Sequence, residues 1–218
     1  MPEIIFNGPD GRIEGVYKKN DRENAPIVLI LHPHPQHGGT MNNKVIYTMF
    51  HTFANAGFST LRFNFRGVGK SQGGFSDGEG ELADAACALD WLQSQNEGVN
   101  EIWIAGFSFG SWIAMQLLMR RPEVTNFVVV APPVNMFDFS FLTPCPTSGL
   151  IIQGEGDSVV PVEEVDKLVD KLNAQRNVKV AYDRFRGIDH FFKGKEQNLS
   201  KSIEDYIGEI KEEEELPI

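Results

Sequence analysis

Ile102-Trp103-Ile104-Ala105 is an unbroken apolar run, Gly106-Phe107-Ser108-Phe109-Gly110 follows it directly, and Trp112 to Met119 is then apolar almost all round. A short β-branched run of this kind suits a strand buried on both faces of a parallel sheet. The next segment has the length and composition of a buried helix. Between them, G-x-S-x-G places a serine in a tight strand-to-helix turn, where residues two positions to either side must be small. The serine hydroxyl is then presented at a helix N-terminus, where backbone N–H groups and the helix dipole favour a developing negative charge. Ser108 is the candidate nucleophile, and Gly106 and Gly110 are the residues that let it be one.

The same alternation extends in both directions. Apolar strands are expected at 27–31, 59–64, 101–105, 126–131, 149–153 and 178–182. Helical stripes separate them: Val45, Ile46, Met49, Phe50 and Phe53; Leu82, Ala85, Ala86, Leu89 and Leu92; Val165, Leu168, Val169 and Leu172; Leu199, Ile203, Tyr206, Ile207 and Ile210. Residues 3–7 and 13–18 flank Gly8-Pro9-Asp10-Gly11 and read as an antiparallel hairpin. This is an α/β protein: a mostly parallel sheet of about seven to eight strands with helices on both faces, in one domain over 1–218. Glu212 to Glu215 read as a solvated, frayed end.

Composition narrows the partners. The 218 residues are 41% apolar, an ordinary globular profile, with a net charge of −10. An acidic surface repels phosphate backbones and anionic lipid, so nucleic acid and membrane surfaces are not expected partners. The start of the chain has no basic region followed by an apolar run, and no stretch reaches membrane-spanning length. Cys87 and Cys145 have neither metal-finger nor disulfide-framework spacing. A cytoplasmic protein is expected.

A serine nucleophile needs a base, and the base needs an orienting acid. In open α/β sheets, ligands gather at the carboxyl ends of the strands. His190, in Gly187-Ile188-Asp189-His190-Phe191, follows the last expected strand and is the candidate base. Asp157, in Gly154-Glu155-Gly156-Asp157, follows the strand before it and is the candidate acid. Asp189 is a weaker rival, since adjacent residues on an extended loop point apart. His32, His34 and His37 share one loop, but the intervening prolines hold it extended and no acidic residue is near, so no metal site is expected. Gly67-Val68-Gly69-Lys70-Ser71 looks like the end of a phosphate-binding loop, yet Asn64 stands where that motif requires glycine.

Four stretches, 31–45, 61–73, 106–112 and the pair 154–161 with 187–192, make the sequence resemble the α/β-hydrolase superfamily. The resemblance runs from Ile27 to about Ile207 and is nearest to small lidless bacterial serine hydrolases of the dienelactone-hydrolase-like and esterase branches. It implies a Ser108-Asp157-His190 triad, in the chain order of that superfamily. It also implies an oxyanion hole at the loop after the third strand. Here that loop reads His32-Pro33-His34-Pro35, and proline has no N–H to give. By position the donors are then His34 and Phe109, with His32 shaping the loop and Arg66 bracing the one beside it. Dienelactone hydrolases proper use cysteine, so serine argues against that activity.

Residues 131–148 leave no room for a cap domain, though Phe137, Phe139 and Phe141 there could wall an acyl pocket with Phe107 and Phe109. The resulting expectation is a cofactor-free carboxylesterase acting on small or medium acyl esters. A thioesterase, amidase or peptidase on the same triad is the alternative, as is a non-catalytic scaffold. A homodimer through the last helix or an edge strand is compatible with either.

Overall fold

Pro9 and Asp10 reverse the chain so that strand β1 (Glu3–Gly8) lies antiparallel to β2 (Gly11–Lys18), with Gly8 opposite Gly11. The computed structural model describes residues 3–176 and 178–215. β2 in turn pairs antiparallel with β4 (Ser59–Phe63). Every further pairing is parallel and joins β4 to β3 (Ile27–Leu31), then β5 (Ile102–Phe107), β6 (Asn126–Val130), β7 (Gly149–Gly154) and β8 (Val180–Phe185). Among the described residues the eight strands make one sheet in the order β1-β2-β4-β3-β5-β6-β7-β8.

Strand side chains alternate between two apolar layers. Leu29, Leu31, Ile104, Val129 and Ile151 face the layer packed by α2 (Glu79–Ser94), α3 (Phe109–Leu118) and α4 (Val162–Asn173). Val28, Ile30, Trp103, Val130 and Ile152 face the layer packed by α1 (Lys44–Asn55) and α5 (Glu196–Glu215). Strands β3 through β7 are buried at every position, which suits the apolar runs within β3, β5, β6 and β7, while β4 buries Ser59, Thr60 and Arg62 as well. The segment 131–148, between β6 and β7, runs as turns with no helix, so no cap stands over the sheet. Among the described residues no helix is long and apolar enough to cross a membrane.

Two boundaries differ from the sequence reading. The last strand is Val180–Phe185 rather than 178–182. It ends the sheet, so Asp183 and Arg184 can stay in the ladder while their charges are met outside it. Arg184 pairs with Glu155 and Asp166, and Asp183 accepts from the Ser202 hydroxyl. The acidic tail expected to fray, 212–215, is the last turn of α5.

The parallel strands end together, and the loops leaving them are held by buried polar side chains. Arg66, just past β4, donates from Nε and one terminal nitrogen to the two oxygens of Asp84 in α2, at 3.0 and 2.8 Å. The Arg66 N–H also donates to Asp84. Both residues are buried, and the carboxylate raises the affinity of the guanidinium for its proton. Arg66 thus braces its loop as expected, through a partner on α2 that residue order does not reveal. Removing one member of a buried pair leaves an uncompensated charge and costs about 3–5 kcal/mol. Asp84→Asn is therefore expected to lower the unfolding free energy from urea titration by that order, and an unchanged free energy would show that the pair does not hold the loop.

Candidate active site

Ser108 sits between the end of β5 and the first residue of α3 with φ 53° and ψ −122°. A non-glycine residue in left-handed backbone costs on the order of 1–3 kcal/mol and persists only where surrounding structure dictates it. Here its N–H donates to the Val130 carbonyl at 2.9 Å, and its own carbonyl accepts from the Ser111 N–H at 2.8 Å. The flanking glycines are required by close approach. A Cβ on Gly106 would press on the Gly110 carbonyl, and one on Gly110 would press on the Leu31 and His32 carbonyls.

The loops after β7 and β8 bring the other two residues to this turn. The Gly156 N–H donates to the Ile188 carbonyl at 3.0 Å, and a Cβ on Gly154 would collide with that same carbonyl. With the loops in backbone contact, His190 Nε2 lies 3.2 Å from Ser108 Oγ and His190 Nδ1 lies 2.7 Å from Asp157 Oδ2. The Val159 and Val160 N–H groups both donate to Asp157 Oδ1 at 2.8 Å. Burial alone would raise the Asp157 carboxyl, but the hydrogen bonds from His190 and these N–H groups outweigh it and hold the pKa below its ordinary value. Asp189 accepts from the Lys193 N–H instead. Phe107 lies beneath the His190 ring, 5.0 Å between centroids, and Phe191 meets that ring edge-on at the same distance.

Across from His190 lies the loop after β3. His32 is fully buried, and its Nε2 accepts from the Phe65 N–H at 3.0 Å. That bond assigns the proton to Nδ1, which donates to the Pro33 carbonyl at 2.6 Å. Burial pushes the His32 pKa down to about 4. Pro33 C=O and His34 N–H belong to one planar trans peptide, so pinning the carbonyl toward His32 turns the N–H the opposite way. Among the described residues neither the His34 N–H nor the Phe109 N–H has an acceptor. With both His32 ring nitrogens bonded to backbone, the three loop histidines cannot act as a set of metal ligands. His34 and His37 instead stack on each other, 4.4 Å between centroids.

Ser108 and His190 open onto a cavity of about 420 Å³. His34, His37 and Asn43 line one side of it, and Met136, Phe137, Val159 and Phe191 supply apolar surface. Three of the five large apolar side chains that the described residues leave exposed, Met136, Val159 and Phe191, border this cavity, so the apolar collar is local to it. No Asp, Glu, Lys or Arg is among the described lining residues. A hollow of about 500 Å³ between 19–25 and 94–99 lies at the other rim, where β3 and β5 begin, and holds none of these groups.

A family model for X-Pro dipeptidyl-peptidase (S15 family) matches residues 16–198. The chain belongs to this family. A protein of unknown function from Agrobacterium tumefaciens is 52% identical, with a TM-score of 0.95 and full coverage of both chains. An α/β serine hydrolase homologue from Coxiella burnetii is 35% identical, with a TM-score of 0.84 over 94% of this chain and 96% of the other. A Xanthomonas campestris α/β serine hydrolase without a lid is 29% identical, with a TM-score of 0.84 over 94% and 92% of the two chains. This S15-family chain is an α/β serine hydrolase.

Sequence reasoning and structure differ in the wall of the cavity. Phe107 is in the layer beneath His190, and Phe139 is in the opposite core, so neither lines the cavity; Phe109 and Phe137 do. Lys70 of the phosphate-loop look-alike pairs with Glu3 at the surface. Asn43, Met136, Val159 and Phe191 also line it, none of them expected from sequence, although Asn43, Val159 and Phe191 fall within the stretches that carry the family resemblance. Val159 and Phe191 could have been found by their place beside Asp157 and His190.

His32 also makes the folded state sensitive to acid. Its pKa falls from 6.5 to about 4 on folding, so the unfolded chain binds a proton that the folded one refuses. That contribution is complete above pH 6.5 and is lost as pH falls toward 4, up to about 3 kcal/mol. His32→Gln keeps an acceptor for Phe65 but cannot titrate. Urea midpoints measured from pH 7.5 to 4.5 should fall less steeply in this variant than in the wild type, and parallel slopes would remove His32 as the cause.

Proposed function

We propose that this serine hydrolase is a carboxylesterase for uncharged esters with a small or medium apolar acyl group. Ser108 Oγ attacks the ester carbonyl carbon while His190 Nε2 takes its proton. The carbonyl π electrons move to oxygen, and the His34 and Phe109 N–H groups hold that oxyanion. Asp157 fixes the imidazole tautomer and stabilises the imidazolium. Collapse of the intermediate expels the alkoxide, which takes the proton from His190, and leaves the acyl group on Ser108. Water activated by His190 then hydrolyses the acyl-enzyme by the same steps. Side chains and backbone supply every group these steps need.

The uncharged, apolar-collared cavity around Ser108 carries this reading. Release of an X-Pro dipeptide, the activity in the family's description, requires a site to hold a peptide's N-terminal ammonium. Such a charge is costly to desolvate without a carboxylate partner. The Asp157 carboxylate is turned to His190 and the Val159–Val160 backbone. A neutral ester needs no such partner. The Agrobacterium, Coxiella and Xanthomonas proteins are compatible with either substrate, since none of their descriptions specifies one.

The test is hydrolysis of p-nitrophenyl esters from acetate to palmitate beside Gly-Pro-p-nitroanilide, in wild type and Ser108→Ala. Short and medium esters should turn over at least a hundredfold faster than the dipeptide anilide. Ser108→Ala should lose about 10⁴–10⁶-fold in kcat with its unfolding midpoint kept. Faster cleavage of the anilide would give the peptidase reading instead. Failure of a fluorophosphonate to label Ser108 in folded wild type would remove catalysis by this serine.

A further inference from the structure

Gln153, the next-to-last residue of β7 before the Asp157 loop, is fully buried. Its Nε2 lies 2.9 Å from the Val160 carbonyl, 3.1 Å from Asp157 Oδ2 and 3.3 Å from the Gly154 carbonyl. Three oxygens around one nitrogen fix which way the amide faces, because the flipped form would set its oxygen against all three. Among the described residues its Oε1 has no partner. An apolar side chain of similar size would avoid burying that unpaired oxygen.

We infer that Gln153 is a positioning residue for Asp157, donating from Nε2 to the same Oδ2 that receives the His190 Nδ1–H. The inference rests on the triad reading above. Two backbone N–H groups hold Oδ1, and Gln153 holds the oxygen that faces the imidazole. The carboxylate thereby has a donor on each oxygen besides His190, so its plane is fixed before the substrate arrives. A donor to Oδ2 also favours the ionised carboxylate over the protonated one. The proton therefore stays on Nδ1 when Nε2 takes the one from Ser108. Gln153 touches neither substrate nor Ser108 and acts only through Asp157.

A loop brace and a positioning residue differ in their pH signature. Gln153→Met keeps the volume and removes the donor. Asp157 then becomes more basic and stabilises the imidazolium, so the acid limb of kcat/KM should move up by about half a pH unit or more. kcat should fall about tenfold with KM within about twofold. The other titratable groups around the pair stay in place: Glu155 paired with Arg184 and Arg186, Asp189 on the His190 loop, and His34 and His37 across the cavity. An acid limb that does not move, with activity lost only in proportion to a lower unfolding midpoint, overturns the inference.

If Gln153→Met does not fold, or the wild type proves inert on esters, the wild type still decides the matter. In protein labelled with ¹⁵N-glutamine, assigned by the one resonance missing from Gln153→Asn, the Gln153 amide should shift in step with the titration of the His190 ring. An amide that is indifferent to that titration overturns the inference. Fluorophosphonate labelling of Ser108 in the same sample reports separately on the triad.

Discussion

A serine held in left-handed backbone cannot exist alone, and the centre of this molecule is arranged to impose that conformation. β5 is buried on both faces, and α3 starts one residue after Ser108. The chain must therefore reverse from strand to helix without any intervening loop. Gly106 and Gly110 permit this because the backbone passes so close to itself and to β3 that no Cβ fits. The same reversal leaves the Phe109 N–H at the start of α3, beside the hydroxyl. The strain at Ser108, the opening of its hydroxyl onto the cavity and the placing of that N–H thus have one geometric origin.

Around that turn, side chains do the work that regular secondary structure does elsewhere. Loop backbone has N–H and C=O groups that must be met when buried. His32 meets Phe65 and Pro33, and Asn64 accepts from the Met41 N–H at 2.7 Å. Glu14 accepts from Lys70 N–H and from the Asn64 amide. Glu81 accepts from the Ser76 and Gly78 N–H groups at the start of α2. The His32–Phe65 and Met41–Asn64 bonds join the loop after β3 to the loop after β4, and Glu14 ties that second loop to β2. The rim is therefore rigid although it contains little helix or strand, which is what a preorganised site requires.

Much of this could be read in the order of residues. Most strands between the two helical layers carry short apolar runs, and that composition reports burial on both faces whatever the neighbours are. G-x-S-x-G and Gly-Glu-Gly-Asp each follow such a run, Asp-His follows the edge strand, and a parallel sheet sends all three to the same rim. Less legible was the cavity wall. Phe107 and Phe109 flank Ser108 symmetrically in sequence, yet one lies under the imidazole and the other lines the cavity. Alternation along a strand assigns opposite faces to 107 and 108, but the helical start at 109 breaks that period. Val180–Phe185 escaped its correct limits for a related reason: an edge strand tolerates charges, so its apolar pattern fades.

The sequence by itself determined the sheet, its alternating helices and the three residues that meet at Ser108. These follow from local periodicity and from the rule that parallel strands end together. Only tertiary structure decided which oxygen of Asp157 faces His190, which peptide presents its N–H beside Ser108, and that Gln153 reaches Asp157. Those features are orientations of polar groups about single bonds. They are set by partners that lie on other strands, and residue order carries no information about the distance between such partners until the sheet has brought them together.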